Sequence, residues 1–358
     1  MTEKRLPLLA LALAAGFAIG CEAEDEPEFT SDDDGSGDAD SDADTDADAD
    51  ADADGDVDSD SDADADTQSG PIEPDCSGCN GIGATLPDMI CAVDLCDETT
   101  VIDYDYTSPT NSTLAGTAEA VAHFGDSSND LAPLLNGSYA LMATGPATGT
   151  SHSQDMGGGS MPDPFANDGY DVHNAFEWKI DLKAPPGAHG IQIHYVFFSE
   201  EYDDFVGTSF NDKFYIFLEA QSTNGGQKTV INYTDCRDPG QYMDFSGPEC
   251  DTASGTCCYI AINTSLSECC WYDGCPQGTW TTSIAGTGFE CAADSFSDSS
   301  ATGSSTGWLK TEWPVEPDEE FTLTFHIHDT SDGIYDSEVI LDKILFVGTA
   351  EQGTTPVE

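Results

Sequence analysis

Phe321-Thr322-Leu323-Thr324-Phe325-His326-Ile327-His328 alternates apolar and polar residues without a break. A period of two, built from aromatic and β-branched residues, predicts a strand with one face turned to a core and one to water. Working outward, Ile191, Ile193, Tyr195 and Phe197 alternate with Gln192, His194 and two apolar residues. Lys213–Glu219 is a short aromatic run, and Val339–Val347 is apolar on both faces except at Asp342 and Lys343. Turn signals such as Ala184-Pro185-Pro186-Gly187 punctuate the chain, and no long amphipathic helix reads out. The expectation is an all-β body over residues 101–348, a β-sandwich or jelly-roll-like domain, with a short tail at 349–358.

The N-terminus reads differently. Lys4 and Arg5 precede an apolar stretch that is too short to span a bilayer and ends at Cys21, so residues 1–20 read as a signal peptide. Ala18-Ile19-Gly20-Cys21 resembles a bacterial lipobox, although Ala18 stands where Leu is commoner. The resemblance implies an acylated Cys21, attachment to a membrane through lipid, and, with Glu22 next, an outer-membrane or cell-surface location. From Asp38 to Asp66 every second residue is Asp, and the stretch Glu22–Asp66 holds 23 acids and no base. Ala, Ser and Asp make poor strands, and a helix would stack like charges at i and i+4. Residues 21–70 therefore read as a disordered acidic linker. Alternate Asp residues lie about 7 Å apart in an extended chain, within the Debye length of about 8 Å, so repulsion stretches the linker. Asp50, Asp52, Asp54 and Gly55 match the opening of an EF-hand loop, but Ser61 stands where the bidentate Glu belongs. Diffuse calcium binding is expected there rather than a defined site.

Cys21 apart, the cysteines form two even sets. Cys76, Cys79, Cys91 and Cys96 lie in a short segment, residues 71–100. Cys236, Cys250, Cys257, Cys258, Cys269, Cys270, Cys275 and Cys291 lie in a Gly-, Ser- and Asp-rich insertion at about 230–300. In an exported chain both sets read as disulfides. A Cys₄ zinc site is the alternative for the first set, and the pairing is open in both.

The net charge of −60 excludes a nucleic-acid binder. No zincin helix or phosphate loop is present. The reading is therefore non-catalytic: a surface binding or adhesion module with a glycan or protein ligand. A structural envelope spacer, or a glycan hydrolase built on the carboxylates, is the alternative.

Tyr195-Val-Phe-Phe-Ser-Glu-Glu-Tyr202, Phe205-Val206 and Ser209-Phe-Asn-Asp212 resemble the central motif of the choice-of-anchor L domain family. Gly307-Trp-Leu309, Phe325–Ser337 and Val339–Asp342 resemble its second block. The resemblance spans roughly residues 100–348 and implies a surface domain on one of several anchors; the cysteine-rich insertion departs from it. The motif's acids follow or precede strands, so loops meeting at one end of the sandwich would gather them. Packed carboxylates repel unless protonated or bound to a cation, and calcium takes roughly six to eight oxygens. One calcium site is expected from Glu200, Glu201, Asn211, Asp212, Asp329 and Asp336. Asp342 shares a face by parity with Ile340, Ile344 and Phe346 and needs a partner. Ile340–Leu345 also resembles the last strand of jelly-roll carbohydrate-binding modules, which implies a structural calcium at Asp342; a bulge or a loop amide would serve equally. His326 and His328 share a strand face, either as a transition-metal pair or as ordinary polar-face residues.

Overall fold

The computed structural model describes residues 71–72, 74–79, 81–97, 99–125, 131–147, 156–163, 169–201, 205, 208–235, 250–251, 257–262, 287, 289 and 303–357. The expected signal peptide, Cys21, the expected acidic linker and Cys236, Cys269, Cys270, Cys275 and Cys291 lie outside the described residues. In chain order the elements are β1 (Pro71–Ile72), α1 (Leu86–Ala92), β2 (Val101–Thr107), β3 (Ala118–Val121), β4 (Tyr139–Ala143), β5 (Met161–Pro162), β6 (Asp171–Lys183), β7 (Gly190–Ser199), β8 (Lys213–Glu219), α2 (Gln221–Asn224), β9 (Thr229–Val230), β10 (Tyr233–Asp235), β11 (Cys250–Asp251), β12 (Cys257–Ala261), β13 (Ser304–Ser305), β14 (Leu309–Trp313), β15 (Glu320–Thr330), β16 (Ser337–Val347) and β17 (Gly353–Pro356).

They form a sandwich of two antiparallel sheets. The first runs β17-β14-β7-β16-β4-β3, with β1 on β16 and β13 on β7. The second runs β10-β12-β8-β15-β6-β2, with β5, β9 and β11 added on β6, β8 and β12. The core lies between them and follows the alternation. Tyr195 and Phe197 from β7 meet Phe214 from β8, with ring centroids at 5.3 and 6.4 Å. Trp178 packs on Phe325 at 5.6 Å, and Phe321 on Phe346 at 6.2 Å. Burying each such ring stabilises the fold by about 1.5–3 kcal/mol.

The outer face of the first sheet is covered too. Phe198 packs between Phe124 and Phe289, at 5.2 and 5.3 Å. Next to it α1 packs on β3 and β4 through the buried Met89, Ile90 and Ala92. Thr85 caps this helix in a capping box with Asp88, and Pro87 sits in the first turn, where its missing N–H costs nothing. The four cysteines of this segment are disulfides in nested order, Cys76–Cys96 outside Cys79–Cys91. A seven-residue helix is too short to hold its own shape, so packing and the two bridges hold it.

Three expectations are corrected. Residues 349–358 are not merely a tail, because β17 extends the first sheet by pairing Leu309 with Pro356 and Glu312 with Gly353. The polar face of β15 is not solvated: Thr324, His326 and His328 are all buried. Alternation signals two faces, but only packing decides whether the polar one stays wet. Finally, parity fails at Asp342. It pairs with His194 while Leu345 pairs with Gln192, so β16 holds one extra residue and Lys343 takes a left-handed φ of 49°. Asp342 therefore shares a face with Leu345, not with Ile344 and Phe346.

Candidate cation site

The two sheets bring one end of four strands together. β7 ends at Ser199, so Glu200 and Glu201 occupy the turn beyond it. Asn211 and Asp212 lead directly into β8. Asp329 closes β15, and Asp336 precedes β16. Ser337 pairs with Ser199, which puts Asp336 beside Glu200. The Glu200 N–H donates to the Asp336 carbonyl at 3.1 Å, and the Asp336 N–H donates to Glu200 Oε2 at 3.3 Å.

Asp212 joins the sheets. Its carboxylate accepts from the Thr330 N–H at 2.9 Å and from the Ser337 hydroxyl at 2.7 Å. Thr330 in turn donates through its hydroxyl to the Asn211 carbonyl at 2.8 Å. Asp329 accepts from the Asn174 amide at 3.0 Å. That amide is aimed by a bulge: Ile327 pairs with Phe176 but Asp329 with His173, and Asn174, the extra residue, takes a φ of 43°. The Asn111 side-chain amide donates to Asn174 Oδ1 at 3.1 Å. All six residues expected from the sequence meet here, each no more than 6% exposed. Glu338, which the sequence reading missed, joins them and is equally buried. Its signal was an acid inside the apolar opening of β16, where a lone carboxylate needs a partner.

Burial, followed by the neighbouring acids Asp212, Asp329 and Asp332, holds Glu201 far above the usual carboxylate range. Burial raises Asp212 to about 7 despite its Ser337 and Thr330 donors. Asp329 and Glu338 are raised well above the usual range by burial and then by nearby acids. Among the described residues, Glu201 Oε2, Asp329 Oδ1 and both Glu338 oxygens are buried with no hydrogen-bond donor. Asp212 and Asp329 take their hydrogen bonds from neutral donors, and hard oxygens of this kind are what calcium takes as ligands. The oxygens are gathered but not closed into a shell: among the described residues, no three His, Cys, Asp or Glu side chains stand in metal-ligating geometry. Binding would require side-chain rotation.

Asp342 does not join this group. Six residues of strand separate it from Asp336, roughly 20 Å at 3.3 Å per residue. It accepts from the Leu134 N–H at 2.6 Å, a loop amide, and lies within hydrogen-bonding reach of Asp94. Asp94 accepts from the Asn136 amide at 2.6 Å. Burial raises Asp342 to about 8 and Asp94 to about 6. Asp94, Asn136 and Lys343, at φ of 68°, 50° and 49°, are all left-handed here. Together with the Ile344 N–H, which donates to the Val93 carbonyl at 3.0 Å, the acid pair fastens the disulfide-bonded segment to the sandwich.

His326 and His328 form a chain rather than an open chelate. His326 Nδ1 lies 3.0 Å from Glu177 Oε1, and its Nε2 lies 2.9 Å from His328 Nδ1. His328 Nε2 lies 3.5 Å from Asp163 Oδ2, which also holds Lys213 at 3.4 Å. The hydrogen bond to His326 holds Glu177 down at about 2. Burial keeps His328 neutral, well below the usual histidine range. The two facing nitrogens are hydrogen-bonded to each other, so the pair is read as a buried polar contact.

No family model matches the chain, and neither any curated protein nor any solved structure matches it.

Proposed function

We propose that this chain is a lipid-anchored surface protein that presents a calcium-stabilised β-sandwich as a non-catalytic binding or adhesion module for a glycan or protein. One observation carries the calcium part: carboxylates from the ends of β7, β15 and the starts of β8 and β16 are buried together, and Asp212 and Asp329 take hydrogen bonds from the neutral donors Thr330, Ser337 and Asn174. Like charges packed away from water drive the end of the sandwich apart unless protons or a cation offset them. An outside calcium supply makes the cation the effective partner. The motif around Glu200, Glu201 and Asp212, similar to the choice-of-anchor L domain, and the lipobox-like run before Cys21 support surface display.

Thermal unfolding of the exported chain, disulfides intact, tests the reading. A ligand at a hundredfold excess over its Kd stabilises by about 2.7 kcal/mol, which is roughly 5–10 °C for a body of this size. We expect calcium to raise Tm by at least that amount over EDTA in the wild type, and by clearly less in Asp329→Asn. Elemental analysis finding less than half an ion per chain, together with an unchanged Tm, would sink the calcium reading.

A further inference from the structure

The buried acids at this end exceed what one divalent ion can neutralise. Glu200, Glu201, Asp212, Asp329, Asp336 and Glu338 are six carboxylates, and one calcium ion offsets two charges. They also lean to two sides. Glu201 interacts with Asp212 and Asp329, and Glu338 with Asp336 and Glu200, while a lesser interaction between Asp336 and Asp329 joins the two sets.

Strand register explains the division. Ser337 stands opposite Ser199, and Val339 opposite Phe197, whose ring packs on Phe214 of the other sheet. Glu338 stands opposite Phe198, which packs outward on Phe124 and Phe289. Glu338 is therefore on the outer face of the first sheet, while Ser337 delivers its hydroxyl to Asp212 between the sheets. One ion cannot serve both faces.

Two observations mark the outer group as a ligand site. Both Glu338 oxygens are buried and neither has a hydrogen-bond donor. Second, the backbone makes room for the neighbouring acid: a Cβ on Gly145 would lie 2.0 Å from Asp336 Oδ2. Only glycine lets that carboxylate lie against the chain after β4.

We propose that Glu338, Asp336 and Glu200 hold a second hard divalent cation of the calcium class, on the outer face of the sheet and separate from the Asp212–Asp329 group. The proposal rests on the calcium reading above and adds a second ion to it. Calcium contacts its oxygens at about 2.3–2.6 Å, so the glutamate side chain turns toward Asp336 as the ion enters.

The test counts calcium by equilibrium dialysis on the exported full chain, disulfides intact, in physiological potassium chloride. Diffuse binding by the acidic linker is common to every variant and cancels in the differences. We expect two tightly held ions in the wild type, and one each in Glu338→Gln, Gly145→Ala and Asp329→Asn. If the wild type holds one ion, lost in Asp329→Asn and kept in Glu338→Gln, the proposed function stands and the second site falls. If it holds none, both fall. Should Glu338→Gln not fold, Gly145→Ala decides: an unchanged ion count in that folded variant overturns the proposal.

Discussion

The acidic end and the Asp94–Asp342 pair are both carboxylates taken out of water, yet they solve the problem differently. At Asp94–Asp342 the Asn136 amide serves one acid, the Leu134 N–H the other and the Lys343 backbone both, and the two carboxyls lie within reach of each other. A single shared proton completes the pair. At the acidic end six acids share a few donors, and four oxygens, on Glu201, Asp329 and Glu338, have none. Two acids and a proton are self-sufficient; six are not. On the proposed reading, the ratio of acids to donors, rather than burial itself, separates a structural latch from a cation site.

The comparison breaks most visibly at Asp212. Asp212→Ala removes the acceptor of both Ser337 and Thr330 across the two sheets. Breaking a buried charged network costs about 3–5 kcal/mol, and urea unfolding in saturating calcium should show it. An effect below 1 kcal/mol would mean that the sheets are held here by packing alone. The latch is tested next. Cys76→Ser with Cys96→Ser should cost about 3 kcal/mol by the loop-entropy estimate. It should also raise hydrogen exchange at the Leu134 and Ile344 amides while leaving the Thr330 amide protected. Equal exchange at all three would show that the two regions open as one unit.

A pH series separates them further. Asp342 and Asp94, at about 8 and 6, bind protons in the folded state that the unfolded chain has already released. Their stabilisation is full below the usual carboxylate range near pH 4 and is lost as pH rises through 6 and 8. The slope reaches about 1.4 kcal/mol per pH unit for each proton. Asp212, at about 7, behaves the same way without calcium. Stability in EDTA should therefore fall between pH 5 and 8. Calcium should remove the part of the fall that belongs to the acidic end and leave the part that Asp342→Asn removes. A pH profile that calcium flattens completely would place an ion at Asp342 as well. The smallest effect is expected at Glu119→Gln. Glu119 is a half-buried residue of β3 that acts on Glu338 only through its charge, so Tm should move by the equivalent of less than about 0.5 kcal/mol.

Much of this was legible beforehand. The alternation of Ile191–Phe197 and Phe321–His328 marked β7 and β15, and the aromatic run Lys213–Glu219 is β8 to the residue. The six acids and amides expected to converge do converge, because each stands at a strand end and antiparallel register places those ends together. Glu338 escaped notice because it lies inside a strand, where parity alone does not say that the outer face is covered. Asp342 was misplaced because a one-residue bulge at Lys343 reverses parity, and no local pattern announces a bulge in an apolar run. β17 was missed because Gly353-Thr-Thr-Pro356 has no apolar face; it is a strand because the edge of β14 offers it partners.

Local composition and period by themselves determined that this chain has a strand-built body and a strongly acidic N-terminal stretch. Both properties depend on near neighbours along the chain: side-chain alternation at period two, and an Asp at every second position. Tertiary structure alone decided that the polar faces of β15 and β16 are dry, that Cys76 pairs with Cys96, and that the acids divide between two sides of a sheet. These follow from which distant segments cover each face, and whether a carboxylate is a solvated rim or a buried charge depends on that cover, not on the residues beside it.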